Sequence, residues 1–188
     1  MKPWGMIGRK RLKTVHVCFS CAWLGGALGL LLLQLVPSPA SGDELYAFNA
    51  CKKILDDWVI IPAAFGCLGT GVLYGAFTKW GFFQFKWVTA KWIGTVGSIL
   101  FGASFLGRWV NGLEETSRLE RSLAVLTSAD YLTTNSLVSW FTGVQVTTLV
   151  VLVVLSVFRP WGRTDSAAGV SGRWWTFGRQ GATGQDKP

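Results

Sequence analysis

Residues 15–36 read VHVCFSCAWLGGALGLLLLQLV, a run of 22 residues without a single Asp, Glu, Lys or Arg. As a helix it would be about 33 Å long, enough to cross a hydrocarbon core of about 30 Å. Its apolar residues are continuous rather than spaced three and four apart. That pattern makes a helix apolar on every side, as lipid requires. A basic start and a following Pro-Ser-Pro-Ala-Ser-Gly also suggest a signal peptide, but a signal core is only about 7–15 residues long. The run therefore reads as an uncleaved first transmembrane helix.

Working outward, residues 1–14 form a basic tail with Lys2, Arg9, Lys10, Arg11 and Lys13 and no acid. On the other side, Pro37, Pro39 and Gly42 stop the helix, and residues 37–57 read as a polar connection. Part of it, 44–55, suits a short interfacial helix. A second apolar run covers 58–77, with Pro62 one turn in, where a missing N–H costs little. The connection 78–86 holds Lys79 and Lys86 among Trp80, Phe82, Phe83 and Phe85, and reads as a hairpin hugging the interface.

A third run, 87–110, carries Lys91 a turn inside and Arg108 near its end. Residues 111–135 are polar, and Leu113, Leu119, Leu123 and Leu126 suggest an amphipathic helix lying on the membrane surface. The fourth run is 136–158. The tail 159–188 repeats aromatic-basic clusters, Arg159-Pro-Trp-Gly-Arg163 and Arg173-Trp-Trp-Thr-Phe-Gly-Arg179, suited to anionic lipid or to a protein partner.

The fold expected is an all-α, antiparallel bundle of four transmembrane helices in one domain. Composition agrees: half the residues are hydrophobic and 15% are charged, against about 25% in globular proteins. Most of the 11 tryptophans sit at the ends of the runs, where an indole ring prefers the headgroup region. The net charge of +8 does not point to nucleic acid, because the basic residues flank the apolar runs instead of forming a groove-binding face. They divide 13 against 5 between the two sides of the membrane. The positive-inside rule then puts both termini and the 78–86 connection in the cytoplasm.

Lipid is as apolar as leucine, so membrane helices associate through close packing and polar contacts. Each run carries small residues four apart: Cys21, Gly25 and Gly29 with Cys18, Ala22 and Gly26 beside them, Gly71 and Gly75, Gly94 with Ser98 and Gly102, and Gly143 between Ser139 and Thr147. These are the expected packing positions. Cys18-Phe-Ser-Cys21 is a C-x-x-C inside lipid, where it reads as part of such a surface rather than as a redox pair. The four cysteines, unevenly spaced, make no disulfide framework, and none has the spacing of a metal site.

Two ionisable residues lie within the runs near the cytoplasmic edge. His16, the only histidine, shares a helical face with Ser20, Trp23 and Ala27; Lys91 shares one with Thr95, Ser98 and Gly102. Such residues are expensive in a membrane and mark candidate sites, or else they reach to the interface. No Asp or Glu falls within the runs, which argues against an ion-coupled transporter. No nucleotide loop or nucleophile triad is present.

Three short motifs carry a resemblance: His16-x6-Trp23-Leu-Gly-Gly in the first run, Ile61-Pro62 with Gly69 and Gly71 in the second, and Trp87-x3-Lys91 in the third. Over residues 12–110 the chain resembles a loose bacterial group. That group includes copper-resistance D-like membrane proteins, HemJ-type protoporphyrinogen oxidases and small four-helix membrane proteins of unknown function. The last branch is the nearest fit. The resemblance implies the inner membrane of a bacterium. It also implies that His16 and Lys91, with Trp23, serve haem or porphyrin. The residues themselves point instead to a scaffold or accessory subunit without catalytic machinery, working with a membrane-protein partner or a second copy of itself.

Overall fold

The structure is a computed structural model that describes residues 5–77 and 85–158. The 78–84 part of the aromatic connection, the first four residues and the basic-aromatic tail 159–188 lie outside the described residues. The rest is helical, in four helices long and apolar enough to cross a membrane. We number them α1 (Met6–Leu35), α2 (Gly42–Phe77), α3 (Lys86–Glu120) and α4 (Ala129–Phe158). The all-α four-helix architecture expected from the sequence is the one observed.

The helices run up and down in chain order, and α1 closes the ring by packing on both α2 and α4. Helices α1 and α3 stand at opposite corners. The core is thin, as befits a bundle solvated by lipid: Trp23, Ala27 and Leu30 of α1 meet Ile60, Ala63, Ala64 and Cys67 of α2 and Val138, Leu149 and Leu152 of α4. Large apolar side chains such as Ile93, Trp140 and Val157 stay uncovered on the outside, where lipid replaces water as solvent.

The helices outrun the spans expected from hydropathy. Helix α1 already begins at Met6: Arg9, Lys10, Arg11 and Lys13 are good helix formers, and Gly8 in the first turn does not stop it. Residues 37–57 are mostly not a connection. Ser41 caps a helix there: its Oγ accepts from Glu44 N at 3.2 Å, while the Glu44 carboxylate accepts from Ala40 N at 2.7 Å. This is a close variant of the capping box. From that cap α2 runs 36 residues, about 54 Å, well past a hydrocarbon core of about 30 Å.

The surface helix expected over 111–135 is likewise corrected. Residues 107–120 continue α3 past its apolar run and pack on 42–55 of α2, burying Leu45, Val110 and Leu113. Leu113 meets a protein partner here; Leu119 stays exposed. A single 3₁₀ turn, Leu123–Thr127, then leads into α4.

Both long helices carry a π-turn, Asp56–Ile60 in α2 and Gly102–Leu106 in α3. Pro62 explains the first. It sits inside a continuous helix, not one turn from a start, so it cannot donate to Trp58 and its ring crowds that carbonyl; widening the preceding turn relieves both. The glycine that follows the second π-turn faces the first: a Cβ on Gly107 would lie 3.5 Å from Asp56 Oδ2. On its other side the first π-turn packs against Gly26, whose missing side chain leaves room for Ile60.

Candidate functional site

His16 lies half-buried on the α1 face that meets α2. Its Nδ1 is 2.8 Å from Thr70 Oγ1. Thr70 already donates its one hydroxyl hydrogen to the carbonyl of Gly66 at 2.7 Å or of Cys67 at 3.0 Å. With that hydrogen on a carbonyl, its oxygen accepts from His16 Nδ1–H. A neutral imidazole has one N–H and one lone pair, so the lone pair falls on Nε2.

Ser20, one turn along α1, donates back to His16 O at 2.8 Å. Its oxygen lies 3.3 Å from Cys67 Sγ. The result is a small polar cluster of His16, Ser20, Cys67 and Thr70 between two membrane helices. Neither Cys67 nor Thr70 was singled out from sequence. The signal was weak: both are small residues in an apolar run, and only the register of α1 on α2 brings them to the histidine.

Lys91 donates to Ser156 Oγ at 2.6 Å and so ties α3 to α4. Trp23 lies two turns deeper than His16 on the same face and is only 2% exposed. Its indole N–H has no partner among the described residues. The structure thus places His16 against α2, Lys91 against α4 and Trp23 in the core between them. Among the described residues no group of three or more His, Cys, Asp and Glu side chains is arranged to hold a metal ion.

The glycines divide by face. Gly29 packs against Leu55, Gly71 against His16, Gly94 against Leu152 and Gly102 near Gln145. Ser98 is buried, and Gly75 is half-buried near the end of α2. Among the described residues, Gly25 and Gly143 have no neighbour within 4 Å of where a side chain would start, and the same holds for Gly97. Gly26, one residue from Gly25, is the α1 glycine against which the first π-turn packs. On the Gly97 side an open groove of about 290 Å³ runs between α3 and α4. Gly94, Gly97 and Ser98 line one wall, and Phe141 and Gln145 the other.

At the end away from the termini, polar side chains join all four helices. Lys52 of α2 donates to Gln34 Oε1 of α1 at 2.7 Å. Gln34 Nε2 reaches Asn135 Oδ1 at 2.6 Å and Ser139 Oγ at 3.0 Å on α4. Asn49 Nδ2 lies 2.8 Å from Tyr131 OH on α4 and 3.1 Å from Ser117 Oγ on α3. Asn49, Lys52, Ser117, Tyr131 and Asn135 fall in stretches that read as connections, which hid their role; Gln34 and Ser139 lie within the apolar runs. The spacing of Leu45, Asn49, Lys52 and Asp56 on one helical face was the available signal.

Compared with family models, curated proteins and solved structures, the chain has no match.

Proposed function

We propose that the chain is a multi-pass protein of a bacterial inner membrane, with both termini cytoplasmic, that serves as a scaffold or accessory subunit of a membrane complex. The observation that carries this reading is the groove between α3 and α4. Its floor is made of small residues that allow a backbone to approach closely. Gln145, only 7% exposed, offers an amide to its wall. Interhelical contacts of this kind hold membrane helices together when the hydrophobic effect cannot. The partner is another membrane protein or a second copy of this chain.

The test is extraction from native membranes in a mild detergent, followed by mass measurement. A particle larger than one chain is expected, and Gly97→Leu, which fills the groove, should release the monomer. A lone monomer under every mild condition would overturn the reading. Orientation is tested separately. A tag at residue 188 reached only from outside intact cells would sink the placement of the termini.

A second reading is a haem- or porphyrin-binding protein using His16, Lys91 and Trp23. One observation favours it: the bond to Thr70 leaves the lone pair of His16 on Nε2, the arrangement in which an orienting partner on one nitrogen frees the other for a ligand. With one histidine, the chain alone cannot supply two histidine ligands. Titration with haemin and with protoporphyrin should then give a Soret shift that His16→Ala lacks. An unshifted spectrum in the wild type removes this reading.

A further inference from the structure

Among the described residues, Lys52 is a buried cation without a counter-ion. It is 5% exposed, and the hydrogen bond it makes there goes to the neutral amide of Gln34. Among the described residues no carboxylate pairs with it. Asp56, one turn along, faces Gly107. Lys53 points elsewhere, to Asp57 and Asn111. Gln34 cannot turn round to relieve the charge, because an ammonium only donates and the amide nitrogen is engaged with Asn135 and Ser139. An isolated buried charge is expensive, and proteins pair it.

A cavity of about 90 Å³ opens beside Lys52, with Gln34, Asn49, Tyr131, Asn135 and Pro37 in its walls. That is the space of about three waters, at about 30 Å³ each. Lys52 keeps two N–H groups beyond the one given to Gln34. Tyr131 OH accepts from Asn49, so its own hydrogen remains to donate. Charge, donors and volume converge on one ligand chemistry.

We propose that this cavity binds an oxyanion, with Lys52 as its counter-ion and Tyr131 as a second donor. The oxyanion is a free carboxylate or phosphate, or the phosphate of an anionic lipid; Leu33 and Pro37 in the cavity wall, at the end of the α1 span, set it at headgroup depth.

The full-length protein in phosphatidylcholine nanodiscs provides the test, with Tm read from tryptophan fluorescence. Acetate and inorganic phosphate are added against sodium chloride at matched ionic strength, and a second set of discs contains phosphatidylglycerol. A free solute as ligand raises Tm by roughly 2–4 °C in the phosphatidylcholine discs. A lipid ligand raises it only in phosphatidylglycerol discs, and native mass spectrometry finds that lipid retained.

Lys52→Met should fold, since an apolar side chain of similar volume replaces a buried charge, and it should lose either response. Lys53→Met should keep it. Tyr131→Phe preserves the ring and should weaken the response, which gives a second reading if Lys52→Met fails to fold. Equal Tm in every disc and buffer overturns the proposal, as does a shift that survives both Lys52→Met and Tyr131→Phe.

Discussion

Thr70 decides which nitrogen of His16 is left to chemistry, and no property of the histidine itself does so. Because the chain has one histidine, the tautomer can be read directly from its nitrogen NMR signals. The wild type should carry its proton on Nδ1 when neutral. Thr70→Val removes the acceptor, so the proton should move toward Nε2, and stability should fall by about 1 kcal/mol. An unchanged Nδ1–H signal in the variant would refute the assignment. Gly42 is decided by contact in a different way. A side chain there would run into the backbone of Arg121. Arg121 is fixed in turn: its φ is 46°, the left-handed region, its guanidinium pairs with Asp43 at 2.8 Å, and it lies over the Tyr46 ring. Gly42→Ala should therefore cost about 1–3 kcal/mol in thermal unfolding, although a glycine at a helix start looks tolerant in sequence. The ion pair itself is exposed and contributes little, so Asp43→Asn should change Tm far less.

Among elements, the π-turns set the register of the far end. An α-helix turns about 100° per residue, so the extra residue in Asp56–Ile60 rotates everything before it relative to the membrane segment. That rotation aims Leu45, Asn49 and Lys52 at α1, α3 and α4. Deleting Val59 should close the turn to a regular helix and still allow insertion. It should also swing those three side chains off their partners, costing about 3 kcal/mol or more and exposing Lys52 to trypsin. Val59→Ala, which keeps the residue count, should leave Lys52 protected. Pro62 announced this irregularity in the sequence. Its meaning was missed because the helix was taken to start at 58, where a proline is harmless. The same assumption hid the far-end cluster: residues 44–55 and 111–120 look polar, and polar stretches beside a membrane look like surface. They are instead two helices that bury their inner faces on each other.

For the molecule as a whole, the order of helices around the ring is the testable statement. Ser20 and Cys67 touch across α1 and α2, at 3.3 Å. With Cys18, Cys21 and Cys51 changed to serine, Ser20→Cys should form a disulfide with Cys67 under mild oxidation, visible by peptide mass. No crosslink would mean that α1 does not pack on α2 in this register. The sequence by itself determined the number of spans and the all-α class, because backbone in lipid must satisfy its own hydrogen bonds and long apolar runs have only the helix open to them. Composition at each position was enough for that. Which faces meet is another matter. Lipid surrounds every side of such helices and leaves no polar face to mark the outside, so the apolar pattern carries no rotational signal. Only the tertiary structure decided that Gly26 rather than Gly25 packs on α2, that His16 meets Thr70 and Cys67, and that Lys52 is buried. Each follows from close packing and from polar groups finding partners across helices far apart in the chain.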